Sequence, residues 1–477
     1  NGIINSADEG FPSLQAGSAT PISVGVFINT PDSVFISQNT IHDINSLNTT
    51  GNLFVAGIFA KDGAEGSYIS RNKIYDLSNA STSTSAAIEG IVHIIDGTYS
   101  INNNMISLTS SAGQDIGIDG IFATGANTTA DILHNSIYIY GTSGASVFSS
   151  CLLIDDNFGG DVKNNIFWNA RSGGANHCLV ATGADSDSSD YNLYFASSVA
   201  DGSVAVRGGV NQATLADFRG DFGNDFYSWS ETGASVPAVG TIFTDFANGD
   251  LSIVTGNANS WYVNGKGDPR TAIATDFNGD ARSVLVTTGT TDIGADEFDT
   301  GTTPINATET GTIGSGNTTT YTFANKEILS IDWGAATGYP ASMTVQYWSG
   351  DTPPNPKGPL AEYGDGHWLF EPATSDTLEA GTYTINVNFG PHEVGTIVGP
   401  AANTIFAKYD APYWTNYPAG NTSLLSDMDY STDPKTVTVR DLTDFSNGAL
   451  TSGINPLPIE LISFEAKIEN ELVNLEW

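Results

Sequence analysis

A short pattern recurs through the first 200 positions: an apolar residue, two variable residues, asparagine, one variable residue and a second apolar residue. Successive asparagines of the pattern lie 33, 32, 31, 30 and 27 residues apart. A second landmark, glycine or cysteine, precedes each asparagine by 14 or 15 residues. The asparagines are Asn39, Asn72, Asn104, Asn135, Asn165 and Asn192, and the landmarks are Gly25, Gly57, Gly90, Gly120, Cys151 and Cys178. A fixed period of about 30 residues with β-branched residues and Gly/Asn corners predicts a β-helix.

Each period is then one coil of short strands, and successive coils stack as parallel strands about 4.8 Å apart. No coil buries its apolar face alone, so stability comes from neighbouring coils. We interpret the asparagine column as a hydrogen-bonded ladder inside a corner, where asparagine also tolerates the left-handed conformation. The alternative is a row of ligand-binding residues. The small residues of the Gly/Cys column are expected to point inward.

The composition excludes several classes of function. Sixteen basic residues face 53 acidic residues, and the resulting net charge of −37 argues against nucleic acid and anionic lipid as partners. Acidic loops suit divalent cations, or form only an acidic extracellular surface. Cys151 and Cys178 fall in one column, and we expect a reduced, buried stack. The sequence predicts no transmembrane segment, because no apolar run is long enough.

Three regions follow from the patterns. Residues 1–299 are a β-helix whose part from 196 to 299 is less regular, and residues 300–455 form a second all-β domain. Period-two segments in the second domain predict an antiparallel β-sandwich, and they are Thr318–Phe323, 342–347, 381–389 and 435–439. The tryptophans of this domain (Trp333, Trp348, Trp368, Trp414) suit core and edge packing, or a platform for sugar stacking. Residues 456–477 begin a further Ig-like β domain.

The less regular segment carries several pieces in a characteristic order. They are Leu215-Ala216-Asp217-Phe218, the stretches 240–245 and 248–253, Thr275-Asp276-Phe277-Asn278-Gly279-Asp280-Ala281-Arg282, and 292–297. This order resembles the closing segment of bacterial secreted right-handed parallel β-helix proteins. The resemblance covers residues 1–299 and implies that the segment finishes the helix and caps its open end.

The stretch from Pro456 to Trp477 contains Leu-Pro-Ile-Glu-Leu-x-Ser-Phe, a turn and Leu-x-Trp. It resembles the start of the small β domain that precedes the sorting domain of Bacteroidetes proteins exported by the type IX secretion system. The resemblance implies contact with that machinery and a secreted or outer-membrane cell-surface location. Asn1-Gly2-Ile3 matches half of the repeat, so we expect further coils upstream.

A flank of the β-helix offers a row of outward side chains. The residues three positions after each ladder asparagine include the candidate ligand-binding residues His42, Tyr75, Tyr138, Trp168 and Phe195, with Ser107 between them. Strand alternation places them opposite the inward apolar residues. An exposed aromatic stripe of this kind stacks on sugar rings or on a partner protein. The alternative is that a loop or a neighbouring chain covers it.

Enzyme activity is a weaker hypothesis, and we assign no catalytic residue. The basic residues Lys61, Arg71 and Lys73 suit a polysaccharide lyase, but no acidic Ca²⁺ cradle accompanies them. Asp43 and Asp76 stack one coil apart, as a glycoside hydrolase needs, yet both also suit corner hydrogen bonds.

Calcium is the one cofactor that the sequence suggests. Asp276, Asn278 and Asp280 alternate like the opening of a Ca²⁺ loop, although the later ligands are missing and the alternative is a turn. Asp185, Asp187 and Asp190 form a second acidic loop. Asp32-Ser33-Val34 and Asp376-Thr377-Leu378 resemble Bacteroidetes O-glycosylation sites and predict glycans on Ser33 and Thr377.

These features together predict a structural or adhesive protein that presents a rigid flank to an extracellular glycan or a surface protein. Two alternatives remain open. One is a polysaccharide lyase or glycoside hydrolase acting on an extracellular polymer, and the other is a passive stalk for a distal domain.

Overall fold

The described part of the chain consists almost entirely of β-strands and turns. The computed structural model describes residues 4–5, 20–29, 33–61, 66–94, 97–110, 114–124, 128–144, 147–154, 158–182, 188–197, 202–222, 225, 228–284, 291–298, 305–323, 326–349, 366–373, 378, 380–389, 404–410, 413–416, 435–445, 448–452, 465–469 and 472–476. Within these residues the one α-helix is Leu215–Phe222, which is far too short and polar to cross a membrane.

Three parallel sheets form a β-solenoid of about five turns, which confirms the predicted coils. The parallel strands of sheet A are Thr20–Asn29, Leu53–Lys61, Ala87–Ile94, Gly117–Thr124, Phe148–Ile154, Ala175–Ala181 and Gly202–Arg207, with Ile4–Asn5 and Val210–Gln212 antiparallel at its edges. Sheet B contains Phe35–Ser37, Ser67–Ser70, Gly97–Asn102, Thr128–Leu133, Asp161–Lys163 and Ser188–Asp190, and Phe158–Gly159 also pairs with its fourth strand. Sheet C contains Thr40–Ile41, Lys73–Tyr75, Met105–Thr109, Ser136–Tyr140, Ile166–Asn169, Leu193–Ala196 and Trp229–Thr232. The short strands Ile44–Ser46 and Leu77–Asn79 pair beside sheet C.

The asparagine column forms the predicted ladder at the corner between sheets B and C. The side-chain amide of Asn72 donates to Asn104 Oδ1 at 3.0 Å, and the backbone N–H of Asn72 donates to the same oxygen at 3.0 Å. The same amide also reaches back to the carbonyl of Ile36, at 3.0 Å. The pattern repeats from Asn39 to Asn192. From Asn72 onward, each amide therefore satisfies two backbone groups of the preceding coil, an N–H and a carbonyl, and also bonds to the amide of the next coil, as buried polar groups require.

The left-handed conformation of this corner lies one residue earlier than we expected. The residue before each ladder asparagine has a φ between 52° and 60°, and these residues are Gln38, Arg71, Asn103, His134, Asn164 and Tyr191. The ladder asparagines themselves are not in this region. The strain is thus carried by residues whose side chains point away from the ladder, and asparagine is selected for its hydrogen bonds.

The Gly/Cys column points inward, as predicted. A Cβ atom on Gly90 would lie 2.4 Å from the carbonyl oxygen of Gly120 and 2.7 Å from Ile106, so a larger side chain does not fit there. Cys151 and Cys178 are both free and buried. Burial raises the pKa of Cys178 to about 12, so this thiol stays protonated at neutral pH.

The closing segment, residues 210–298, first caps the solenoid and then returns along it. Thr214 and Asp217 form a reciprocal capping box at the start of the helix Leu215–Phe222. Leu215 and Phe218 complete the apolar core of the last coils. The resemblance predicted this cap.

The rest of the closing segment is attached to the corner residues that precede the ladder asparagines. Its short elements are the 3₁₀ turns Gly233–Ser235, Val239–Thr241, Phe246–Asn248 and Ala258–Tyr262 and the strands Phe243–Asp245 and Asp250–Ile253. Asn164 bonds both to the N–H of Asp268 (2.7 Å) and to its carbonyl (2.8 Å). Asn103 bonds to Arg282 and to Thr275, and Arg71 bonds to Phe277. The segment therefore runs back over at least four coils.

Two antiparallel sheets follow the solenoid. One contains Ile305–Asn306, Met343–Ser349, Gly366–Pro372, Gly448–Ser452, Thr404–Asp410 and Tyr413–Asn416, and the other contains Thr308–Gly311, Thr318–Phe323, Lys326–Trp333, Tyr383–Phe389 and Lys435–Leu442. The four predicted strands are all present, and Met343, Val345 and Tyr347 alternate with more exposed neighbours. Trp333 and Trp368 are buried, as core packing requires. A hairpin of Glu465–Glu469 and Leu472–Glu476 ends the described chain.

Candidate functional site

The predicted row of outward side chains on sheet C exists. Ser107 is the register partner of both Tyr75 and Tyr138, Trp168 is the partner of Tyr138, and Phe195 is the partner of Trp168. The ring of His42 stacks on that of Tyr75, with centroids 4.9 Å apart. The period of the repeat therefore sets the alignment of these side chains.

The prediction that this row is exposed is wrong for three of its members. Trp168 is 1% exposed and Phe195 is fully buried, and Tyr138 is also buried. The closing segment covers them, because Phe243 packs 5.6 Å from Trp168 and Phe246 packs 5.2 Å from Tyr138, centroid to centroid. The alternative of a covering loop is thus confirmed. These three residues belong to the apolar contact between the solenoid and its closing segment.

The cover ends at Tyr75. Gly249 lies against this ring with φ of 70°, and a Cβ there would be 2.6 Å from Tyr75 Cδ1, so only glycine allows the approach. Beyond it, the His42 side chain is 41% exposed and its Nδ1 lies 2.6 Å from Asp43 Oδ2. His42 and Tyr75 are therefore the two predicted residues that a ligand reaches from solvent.

Asp43 and Asp76 stack beside this open end, as expected. Both have a positive φ, at 58° and 49°. Partial burial raises the pKa of Asp76, and its hydrogen bond and repulsion with Asp43 raise it further. Both carboxyls are exposed, so they add negative charge to the open end of the row.

A second pair of rings, on sheet B, was missed in the sequence. Phe35 and Tyr68 are register partners with nearly parallel rings, 5.3 Å apart and inclined by 9°. They are 73% and 44% exposed, although both are large apolar rings. The signal was available, because each ring immediately precedes an inward isoleucine of the repeat and so points outward. Among the described residues these rings form the stacked pair most open to solvent.

The basic residues considered for lyase chemistry have structural contacts. Arg71 Nε donates to the carbonyl of Phe277 at 3.0 Å, which ties the closing segment to the second coil. Lys73 is half-buried in sheet C. The side chain of Lys61 lies outside the described residues. Arg71 is therefore engaged in closing the fold, and it is not presented to a substrate.

Asp276 forms a turn in the structure. Its Oδ1 accepts the N–H groups of Gly279 and Asp280, both at 2.7 Å, and its Oδ2 accepts the N–H of Glu297 at 2.9 Å. Asn278 donates to Asp296 Oδ1 at 3.2 Å. The geometry favours the turn over a Ca²⁺ loop, since the inner carboxylate is already bonded to backbone.

The remaining predicted sites are only partly described. Asp185, Asp187 and Thr377 lie outside the described residues. Asp190 accepts the N–H of Tyr191 at 2.8 Å, and Ser33 is exposed near the open rings of sheet B. In the described part of the chain, no three His, Cys, Asp or Glu side chains converge as metal ligands. Calcium and glycosylation stay predictions.

The fold and these contacts define a parallel β-solenoid protein whose flank is covered by its own closing segment at one end and open at the other. Neither the protein-family models, nor the curated proteins, nor the solved structures contain a match to this chain. The function is therefore inferred from the open rings.

Proposed function

We propose that this protein is an extracellular adhesive solenoid that binds a neutral carbohydrate chain on the exposed ring pair Phe35 and Tyr68. The observation that carries the proposal is the parallel stacking of two solvent-exposed rings on adjacent coils. Flat aromatic faces of this kind stack on the apolar faces of sugar rings. The charge of −37 disfavours polyuronates, because like charges repel.

The location is part of the same proposal. The closing-segment motifs and the stretch 456–477 support a right-handed β-helix protein of Bacteroidetes that the type IX system exports to the cell surface. We interpret the two antiparallel sheets as a β-sandwich between the solenoid and a further Ig-like domain. Glycans on Ser33 and Thr377 fit this setting, and an intact mass equal to the bare polypeptide would exclude them.

The test compares binding of soluble neutral glucans and mannans with binding of polygalacturonate. We expect binding of a neutral polymer that weakens about tenfold in Tyr68→Ala and in Phe35→Ala. Leu47→Ala is the matched control, because Leu47 is 86% exposed on the same coil but belongs to no ring pair. Equal binding by all four proteins would contradict the proposal.

The same incubations separate the alternatives. New reducing ends or unsaturated sugars would replace the adhesive role with a hydrolase or lyase. No binding to any polymer would favour the passive stalk.

A further inference from the structure

The outer face of sheet A carries a row of polar side chains that the proposed carbohydrate site does not use. The register of the sheet aligns them on successive coils as Ala56, Glu89, Asp119, Ser150, His177 and Ser203. Ala56 packs with Phe59 and Val92 in an apolar cluster separate from the solenoid core. The row therefore lies on the outside of the sheet, within an apolar setting.

Two carboxyl groups are adjacent in this row. Glu89 and Asp119 are Cα partners on neighbouring parallel strands, which lie about 4.8 Å apart. Glu89 is 8% exposed and Asp119 is 6% exposed. Like charges at this separation and burial are costly unless something neutralises them.

The hydrogen bonds in the structure do not satisfy the pair. Ser150 donates its hydroxyl to Asp119 Oδ1. Glu89 Oε2 is fully buried and has no hydrogen-bond partner in the described part of the chain. A buried carboxylate oxygen without a donor costs about 1–3 kcal/mol or more, so its persistence points to a missing partner.

One cation is nearby, but it does not balance the charge. Arg171 is fully buried and attracts both Asp115 and Asp119. Its Nη2 donates to the carbonyl of Ile116 at 2.7 Å and to Ser110 at 3.1 Å, and it forms no ion pair within 4 Å among the residues that the structure describes. When all four groups are ionised, the carboxylates of Glu89, Asp115 and Asp119 carry three negative charges and the guanidinium carries one positive charge. Two negative charges therefore remain uncompensated.

We infer that Glu89 and Asp119 bind a divalent cation of the oxygen-liganded class, such as Ca²⁺, on the outer face of sheet A. Such an ion supplies the two missing positive charges and a partner for Glu89 Oε2. Ser150 Oγ offers a third oxygen, and water completes the 6 to 8 ligands that Ca²⁺ takes in flexible geometry. The site is independent of the open ring pair.

The ionisation of the pair is consistent with this inference. Burial, and then repulsion by Asp119, raises the pKa of Glu89 well above its ordinary value. Burial raises the pKa of Asp119 to about 7, against the opposing effects of Ser150 and Arg171. A bound cation competes with protons for these carboxylates.

The experiment titrates Ca²⁺ into the EDTA-treated full chain at pH 7.5, by calorimetry and by thermal unfolding. We expect saturable binding and a higher Tm in the wild type. In Glu89→Gln with Asp119→Asn the affinity should fall about tenfold or more, because both charged ligands are removed. The amide variant should keep a high Tm without Ca²⁺, since it has lost the repulsion.

Asp43→Asn with Asp76→Asn is the matched control, because these carboxyls also stack on adjacent coils but are exposed. Its Ca²⁺ response should equal that of the wild type. If the double amide variant does not fold, Glu89→Gln alone and terbium luminescence of the wild type give the same readout. A response that survives in the Glu89 variants overturns the inference. A wild-type Tm that does not change with Ca²⁺ also overturns the inference. If that Tm falls between pH 5 and pH 8, the pair of carboxyls shares a proton instead of binding a cation.

Discussion

Two rows of aromatic side chains run along neighbouring flanks of the solenoid, one on sheet C and one on sheet B. The sheet C row contains Tyr138, Trp168 and Phe195, and the closing segment buries it. The sheet B row consists of the pair Phe35 and Tyr68, and it stays open. Both rows arise from the same repeat and the same strand alternation. The difference lies in a distant segment, so ring content alone does not distinguish a binding surface from an internal contact.

The strongest test of this difference is Trp168→Ala. Removing a fully buried tryptophan should lower the free energy of unfolding by about 4 kcal/mol, because the cavity between sheet C and the closing segment stays unfilled. Urea unfolding followed by circular dichroism measures the change. Carbohydrate binding by the folded protein should be unaltered, and a loss of binding at full stability would reverse our assignment of the two rows.

A second test loosens the cover itself. Arg282, whose side chain is fully buried, forms an ion pair with the largely buried Glu297 at 2.6 Å and donates to Asn103 on the corner of the solenoid. Arg282→Ala should cost about 3 kcal/mol, since it leaves Glu297 without its cation. Hydrogen exchange should accelerate at Ala295, whose N–H donates to Ser136 Oγ.

Arg270→Ala is the control for this variant. Arg270 also attaches the closing segment, through Asp161, but the pair is partly exposed and should contribute about 1 kcal/mol or less. Equal losses in the two variants would show that burial of the pair is unimportant.

The buried histidine His93 allows a smaller test. Burial lowers the pKa of His93 to about 3, so the unfolded chain takes up the proton first as the pH falls. Stability tied to His93 is therefore complete at pH 7 and declines below the ordinary histidine pKa, by about 2 kcal/mol between pH 7 and pH 5. His93→Gln should remove this part of the pH slope in urea unfolding.

The smallest effect on stability is expected for Phe35→Ala. The ring is 73% exposed, so its loss should change the free energy of unfolding by no more than about 0.5 kcal/mol. The same variant should show the binding defect described above. A large loss of stability would mean that the sheet B row also has a cover.

The sequence predicted those features that repeat. The spacing of Asn72, Asn104 and Asn135 predicted the ladder, because each coil must place the same amide in the same corner. Counting three residues onward also predicted the register of Tyr138 and Trp168. Alternation likewise predicted the strands of the following sheets, such as Met343–Ser349.

Features that do not repeat from coil to coil were harder to predict from the sequence. The contacts that cover sheet C join residues far apart in the chain, such as Asn103 and Arg282, which are 179 positions apart. The spacing of the repeat does not predict such contacts. The carboxyl pair Glu89 and Asp119 also occurs on only two coils, because the same row holds Ala56 before it and Ser150 after it. The repeat therefore did not predict this pair. The position of the left-handed residue depends on corner geometry that the asparagine spacing leaves open.

The asparagine ladder has a direction, because the backbone N–H of each ladder asparagine donates to the side chain of the asparagine on the next coil. Asn192, its last member, donates its backbone N–H to Ser228 Oγ at 2.9 Å, and Ser228 in turn donates to Asp225 Oδ1 at 2.6 Å. Aligned amides polarise one another, and their dipoles add along the axis. The ladder therefore has a net dipole, and its positive end lies at Ser228 and the carboxyl of Asp225. The closing segment therefore meets this end of the ladder with a hydroxyl and a carboxyl, which accept the last N–H and its relayed proton donor.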